Sequence, residues 1–191
     1  MTARLSVIAL ALASAAAPVF ASEVPDPDYC SVVPCDAMMG VLTTPHSGSG
    51  PEATQFVVTV MFDPVTPIPN AFVELIVRQP ANHHFCPGAV LTGTTNAQGQ
   101  VTLNPALGGC TLAHDLVRIR ANNVDIRMYD RLLSPDFDGE ADGRVGISDF
   151  VFFGNRFRVG APGCTDYYND GTTGIDDFTA FAACWSRSCT Q

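Results

Sequence analysis

Lysine is absent from this chain, and positive charge is correspondingly scarce. Its ten basic residues are arginines and face 19 acidic residues, which leaves a formal net charge of −9 at pH 7. A surface this acidic does not attract nucleic acids or anionic membranes through its overall field. The chain also has no Gly-x-Ser-x-Gly motif, the nucleophile turn of α/β-hydrolases. These absences argue against a nucleic-acid-binding protein and against a hydrolase of that class.

Long apolar runs are also missing, except at the N-terminus. Arg4 precedes an apolar run from Leu5 to Ala17, and Val19-Phe-Ala21 resembles a signal-peptidase cleavage site. Residues 1–21 are therefore predicted to be a secretory signal peptide, since the run is too short to span a membrane. The mature protein is expected to begin near Ser22 and to be secreted, either extracellular or at the cell surface.

Seven cysteines in a secreted chain predict disulfides. The expected partition is two bridges within the first part of the chain and one in the second, with one thiol left over. In the second part, Cys164 is expected to pair with Cys189 or with Cys184, and the sequence leaves that pairing open. The cysteines of the first part are Cys30, Cys35, Cys86 and Cys110.

Residues 22–130 show the pattern of short β-strands separated by turns. Segments rich in β-branched and aromatic residues alternate with Gly, Pro and Asn turn signals. Asn96-Ala-Gln-Gly99 is predicted to close a hairpin between the third and fourth strands. This pattern predicts an antiparallel β-sandwich. The predicted strands span residues 55–62, 71–78, 90–95, 100–103, 116–120 and 124–129.

Two segments of this region are similar to a known domain type. They are Pro-Ile-Pro-Asn-Ala-Phe-Val-Glu-Leu75 and Thr95-Asn-Ala-Gln-Gly-Gln-Val-Thr-Leu. They are similar to carboxypeptidase-regulatory-like and bacterial Ig-like domains. The resemblance implies an Ig-like sandwich, a fold that serves as a spacer or as a binding platform and does not by itself specify a function.

The C-terminal part of the chain contains one twelve-residue pattern twice, at Asp138–Asp149 and at Asp166–Asp177. Each copy has carboxylates at positions 1, 5 and 12 and glycine at position 6. This spacing is typical of EF-hand-type calcium loops, in which a tight turn directs several oxygens at one hard cation. The pattern therefore predicts two Ca²⁺ sites, in what we call loop one and loop two.

The tandem resembles a type I dockerin module, which carries Asp instead of Glu at position 12 and a short apolar helix after each loop. The resemblance covers residues 134–191 and implies the calcium ligands position by position. Tyr168 stands where such a loop usually has Asn or Asp, so loop two is expected to bind Ca²⁺ more weakly. Asp136 offers a second register for loop one. The implied ligands are Asp138, Glu140, Asp142, the Arg144 carbonyl and Asp149 in loop one, and Asp166, Tyr168, Asp170, the Thr172 carbonyl and Asp177 in loop two.

The helices after the two loops have aromatic residues at matching positions. The spacing i, i+3, i+7 predicts that these six side chains form the core shared by the two helices. A short strand contact is expected between the loops, joining Val145 and Ile147 to Thr173 and Ile175. Because this core is small, its folding is expected to depend on calcium. The aromatics are Phe150, Phe153, Phe157, Phe178, Phe181 and Trp185.

The chain is therefore expected to combine a mainly β N-terminal domain (22–130, an antiparallel Ig-like β-sandwich) with a small α-helical module of two EF-hand-like calcium loops (134–191). His83-His84-Phe-Cys86 lacks the second ligand cluster that a zinc site needs, so surface histidines beside a disulfide are the preferred interpretation. No other residue pattern marks a catalytic site.

Three classes of function follow. The first is a secreted, non-catalytic adaptor whose dockerin-like module binds a cohesin-like receptor; the resemblance places the contact at Ile147-Ser148 and Ile175-Asp176. The second is a self-assembling structural subunit, in which the module contacts a neighbouring copy to build a calcium-stabilised surface layer or filament. The third, a carbohydrate-active enzyme, would need a site that the sequence does not display.

Overall fold

The computed structural model describes residues 23–33, 41–42, 55–78, 83–137 and 142–189. The predicted signal peptide lies outside these residues, as do Cys35, Asp138 and Glu140. The strands, in chain order, are β1 Ser31–Val33, β2 Val41–Leu42, β3 Phe56–Thr59, β4 Phe72–Val77, β5 His83–Phe85, β6 Thr92–Thr94, β7 Gln100–Leu103, β8 Leu107–Gly109, β9 Thr111–Ala121 and β10 Val124–Leu133. They are followed by two helices, α1 Ile147–Val159 and α2 Ile175–Ala183.

Two sheets enclose the main hydrophobic core. One has the strand order β1-β3-β7 and the other the order β2-β10-β9-β4-β6. Alternate residues of β3, such as Phe56 and Val58, meet alternate residues of β4 and β9, such as Leu75 and Ile119, and all four are at most 4% exposed. The predicted mainly β, antiparallel architecture is confirmed, and among the described strands only the two-residue strand β2 pairs in parallel, with β10.

The longest ladder joins β9 and β10. The chain turns between them at Asn122 and Asn123, whose φ angles of 45° and 67° suit a tight hairpin turn. On the ladder, Arg118 and Arg120 both bind the Asp125 carboxylate, at 2.6 and 2.9 Å. β10 runs on to Leu133 and so carries the sheet directly up to the first calcium-loop pattern.

The predicted hairpin at Asn96–Gly99 is wrong in its pairing. The turn itself forms, and Gly99 has a φ of +71°. However, β6 pairs with β4, whereas β7 pairs with β3 in the opposite sheet. The turn therefore carries the chain from one sheet to the other, because each strand finds a longer apolar partner outside the local hairpin.

A third, two-stranded sheet formed by β5 and β8 lies beside the C-terminal residues. Both disulfides leave from the ends of these strands: Cys86 bonds to Cys189, and Cys110 bonds to Cys164. The expected partition of disulfides within each part of the chain is therefore wrong, since both bridges join the β-sheets to the C-terminal residues. Cys30 and Cys184 are buried thiols.

No helix of the described residues has the length and hydrophobicity to cross a membrane. The two disulfides are compatible with an extracellular protein, since such bonds persist in oxidising compartments.

Candidate metal centre

Loop two is organised by two buried carboxylates. Asp166 accepts the backbone N–H groups of Asp170 and Gly171, at 3.0 and 3.2 Å. Asp177, in the first turn of α2, accepts the N–H groups of Tyr167, Tyr168 and, at 2.8 Å, Gly174. Gly174 is the residue that caps α2, so Asp177 both begins the helix and closes the loop across its first residues.

Loop one repeats this arrangement. Asp149, in the first turn of α1, accepts the N–H groups of Phe137 and, at 2.7 Å, of the capping residue Gly146. The N–H group of Gly143, which corresponds to Gly171, is bound by Asp136 at 3.0 Å. The two loops therefore share one hydrogen-bonding scheme, with carboxylates at their first and last positions.

The distance along the sequence between equivalent residues of the two loops is not constant. Asp136 takes the hydrogen-bonding role in loop one that Asp166 has in loop two, while Asp149 corresponds to Asp177. Loop one therefore contains two more residues than loop two before its glycine. The hydrogen bonds of Asp136 thus correspond to those of Asp166, whereas Asp138, the first position of the predicted pattern, lies outside the described residues.

Four carboxylates of the two loops are buried: Asp136, Asp149, Asp166 and Asp177 are each at most 4% exposed. A buried carboxylate is costly unless hydrogen bonds or an opposite charge stabilise it. Backbone N–H groups supply part of that stabilisation. Asp177, for example, accepts three N–H groups, and the two oxygens of a carboxylate offer about four lone pairs in all.

The other predicted ligands are more exposed. Asp142 and Asp170 lie on the outer side of the loops, where each bonds the N–H group two residues further on, that of Arg144 or Thr172, at 2.9 Å. Tyr168 is 61% exposed. The side chains of Asp142, Asp170 and Tyr168 therefore face solvent.

The donor chemistry of the loops fits a hard cation such as Ca²⁺, because the buried side chains of each loop offer carboxylate oxygens. Within the part of the chain that the structure describes, no three His, Cys, Asp or Glu side chains are grouped closely enough to hold a metal ion. Asp138 and Glu140 are outside that part. In this conformation the buried carboxylates instead accept hydrogen bonds from backbone N–H groups of their own loops.

Loop one rests on the two-stranded sheet. A Cβ atom added at Gly108 of β8 would lie 1.7 Å from Asp136 Oδ2, and Gly109 donates its N–H to the Asp136 carbonyl at 2.8 Å. On the other side, the His84 ring packs against Gly143, where an added Cβ would be 2.8 Å from Nε2. The absence of a side chain at Gly108 and Gly143 therefore leaves room for the Asp136 and His84 side chains, so that loop one and the sheet are in direct contact.

Loop two rests on β10. Arg131 Nη1 lies 3.3 Å from Asp166 Oδ2 and 2.8 Å from Asn169 Oδ1. The Cys110–Cys164 disulfide attaches the chain two residues before Asp166 to the end of β8. Behind the loop, the hydroxyl of Thr173 lies 2.7 Å from that of Thr165 and donates to the Ala161 carbonyl at 2.6 Å. Loop two is therefore attached to the β-sheets by a charge contact and by a covalent bond.

The predicted core of six aromatics is only partly correct. Phe153 and Phe181 are 1% exposed and stack on each other, at a centroid distance of 5.1 Å. The other four, at 38 to 45% exposure, lie around them and remain half open to solvent. They are Phe150, Phe157, Phe178 and Trp185. Buried neighbours from outside the helices, such as Tyr167 and Leu133, complete this second core.

The expected strand contact between the two loops is also wrong. Val145 exchanges backbone hydrogen bonds with Ser186 and Arg187 near the C-terminus. Ile147 and Ile175 remain 67% and 65% exposed. Loop one therefore pairs with the chain that follows α2, and the two isoleucines stay available at the surface.

An apolar groove runs between the helices, with a volume of about 420 Å³. Its walls come from both repeats, so it exists only because α1 and α2 lie side by side. It is lined by Ile147, Phe150, Phe178, Phe181, Ala182 and Trp185.

The two histidines of β5 differ. His84 is exposed, whereas His83 is 9% exposed and its Nε2 lies 3.0 Å from the Thr111 hydroxyl. Burial lowers the pKa of His83 below its ordinary value, although a hydrogen bond with the Gly108 backbone opposes that effect. Cys86 is in a disulfide, as expected, but His83 is a buried residue of the sheet rather than a surface histidine.

Sequence reasoning missed two residues of this site, Arg131 and Gly108. Nothing in the spacing of the loop pattern indicates that β10 and β8 lie against it. Comparison of the chain with known protein families, curated proteins and solved structures finds no match.

Proposed function

We propose that this chain is a secreted, non-catalytic calcium-binding protein whose C-terminal module, similar to a type I dockerin, mediates extracellular protein–protein assembly. The observation that carries the proposal is the repeated loop arrangement. Two loops share one scheme of buried carboxylates and backbone N–H groups, and each leads directly into a helix. Ca²⁺ bound there would add the opposite charge that these carboxylates need.

Residues of both loops would contribute to the two calcium sites. Asp136 and Asp149 would hold the ion of loop one together with Asp138, Glu140 and Asp142. In loop two, Asp166, Asp170 and Asp177 would do so. Arg144 and Thr172 would each contribute a backbone carbonyl. The ion would stabilise the loops rather than carry out a reaction.

The groove between the helices would be the surface that the partner contacts. Ile147 and Ile175, at the starts of α1 and α2, are each about two-thirds exposed. Ile147 lines the groove, and an exposed apolar surface of this kind is typical of an interaction site. A cohesin-like receptor is the partner that the resemblance implies, and calcium would act by holding the two helices in place.

The first test is calcium binding by the mature, oxidised protein. Calorimetric titration with CaCl₂ is expected to show two sites, and the double variant Asp149→Asn with Asp177→Asn is expected to lose both.

Binding to immobilised cohesin-like proteins should require calcium and should be lost in Trp185→Gln. Phe62→Gln is the control, because Phe62 is 47% exposed but lies on the β-domain. Failure to bind any tested receptor, in calcium and in chelator alike, would count against the adaptor function.

The second candidate function is self-assembly into a layer or filament. The observation in its favour is the pair of disulfides, which fasten the module to the β-sheets and make a single unit suited to repetition. Light scattering in calcium would then show growth into large particles that dissociate in EDTA. A monomer at high protein and calcium concentration would exclude this alternative.

A further inference from the structure

We infer that Arg131 is a built-in counter-cation of loop two, which Ca²⁺ must displace in order to bind there. The inference rests on the proposed calcium-binding function and extends it, because it makes the two sites unequal for a reason that lies outside the loops. Arg131 would hold loop two in its folded conformation without metal. The same contact would lower the affinity of loop two for Ca²⁺.

The geometry of Arg131 is that of a cation seated in the loop. Its Nη1 contacts the Asn169 side-chain oxygen at 2.8 Å and the Asp166 carboxylate at 3.3 Å. Asp166 is fully buried and stands at the first position of the loop, where a calcium ligand is expected. The positive charge of the guanidinium therefore stabilises the Asp166 carboxylate in part as a bound Ca²⁺ ion would.

Burial decides how much this contact matters. A surface ion pair contributes little, but a buried carboxylate that loses its partner is strongly destabilised. The Arg131 side chain is 34% exposed, whereas that of Asp166 is 0% exposed. Arg131 can therefore swing towards solvent while Asp166 stays in place, which gives an entering ion a route to the carboxylate.

Calcium and the guanidinium would compete for one carboxylate. Two cations within a few ångströms of each other repel, so binding of the metal requires Arg131 to leave or to weaken its contact. Loop two has little extra charge with which to offset that cost, because Tyr168 stands at the position where loop one has Glu140. The weaker of the two calcium sites is therefore assigned to loop two.

The test is a calorimetric titration of CaCl₂ into the mature, oxidised protein and three variants. Arg131→Gln is expected to tighten the weaker site by on the order of tenfold and to leave the stronger site unchanged. Asn169→Gly is expected to act in the same direction but less, since it removes only the amide partner and glycine tolerates the φ of 56° at this position. Arg158→Gln, an equal charge change at an exposed position of α1, should leave both affinities within about twofold.

A second measurement does not depend on calcium. In EDTA, Arg131→Gln is expected to lower the melting temperature, because the buried Asp166 carboxylate loses the positive charge beside it. The rise in melting temperature on adding calcium should then be larger for Arg131→Gln than for the parent protein. Adding Asp166→Asn to Arg131→Gln should restore part of the stability lost in EDTA.

The possible outcomes distinguish a failure of the Arg131 proposal from a failure of the proposed calcium binding. If two sites titrate but Arg131→Gln leaves the weaker one unchanged or loosens it, the counter-cation role is overturned and calcium binding stands. If neither the parent protein nor any variant binds calcium, the proposed function fails and the competition fails with it.

Discussion

The two loops show how one sequence pattern reaches the same local structure in two different settings. Asp149 and Asp177 make equivalent contacts with the residues that cap α1 and α2. Loop one lies against the glycines of the β5–β8 sheet, whereas loop two lies against a charged side chain of β10. Local hydrogen bonds thus define the loop, and the surface on which it rests is expected to set its stability and its affinity for metal.

The largest expected effect comes from cutting the disulfides, each of which serves one loop. Cys110 and Cys164 enclose a sequence separation of 54 next to loop two, and Cys86 and Cys189 one of 103 next to loop one. The chain-entropy argument gives about 4 to 5 kcal/mol of unfolding free energy for loops of this length. Replacing either pair with serine should cost about that amount in urea denaturation. Hydrogen exchange should increase mainly in the loop concerned, and equal increases in both loops would contradict the division between them.

Calcium removal should have an effect of similar size that differs between the loops. A site with a dissociation constant of about 1 μM contributes about 4 kcal/mol at about 1 mM calcium. Loop one is expected to supply the larger share, since Arg131 would oppose an ion bound in loop two. Thermal unfolding with and without EDTA should therefore show that Asp149→Ala loses more of the calcium-induced stabilisation than Asp177→Ala. The reverse order would mean that loop two is the stronger site.

A single methyl group should disturb loop one alone. Gly108→Ala places a Cβ atom 1.7 Å from the buried Asp136 carboxylate, so one of them must move. Overpacking of this kind typically costs about 1–3 kcal/mol. Gly154→Ala is the matched control: it lies in α1 with nothing within 4 Å of the added atom, and it should stabilise the protein by about 0.5–1 kcal/mol. Urea denaturation measures both, and a neutral Gly108→Ala would show that the contact with loop one is loose.

The smallest effect is a pH dependence on the loop-one side. Because burial lowers the pKa of His83 in the folded protein, the unfolded chain takes up the proton first as the pH falls below about 6.5. The free energy of unfolding should therefore be constant above that pH and decrease below it, until the folded-state pKa is passed. Urea denaturation across pH 5–8 measures this decrease. It should be reduced in His83→Gln and retained in His84→Gln, and an equal decrease in all three proteins would assign it to other groups.

Much of the local structure was predictable from the sequence. The β-strand segments around Phe56–Thr59 and Phe72–Val77 follow from their β-branched, apolar composition. Helices begin at Ile147 and Ile175 because a glycine is followed three residues later by an aspartate that bonds back to it. Such signals lie within a few residues of one another, so spacing alone reveals them.

The exposure of the aromatic side chains was predicted less well. The helical period of a sequence shows which residues share a face of the helix. It does not show how much of that face the neighbouring elements cover. Phe153 and Phe181 are covered by each other and by Tyr167, whereas Phe150 and Trp185 extend past that cover. The predicted closed core is therefore an open groove.

The sequence by itself determined the composition of the two loops, the strand and helix segments, and the acidic character of the chain. Only the tertiary structure decided the disulfide partners, the hydrogen bond between Asp136 and the Gly143 N–H group, and the contact of Arg131 with Asp166. The reason is physical: a disulfide requires Cα atoms within about 4.4–6.8 Å, and Cys86 and Cys189 meet at 4.9 Å although 103 positions separate them. Contacts of that kind depend on how the sheets and helices pack, which no spacing along the chain expresses.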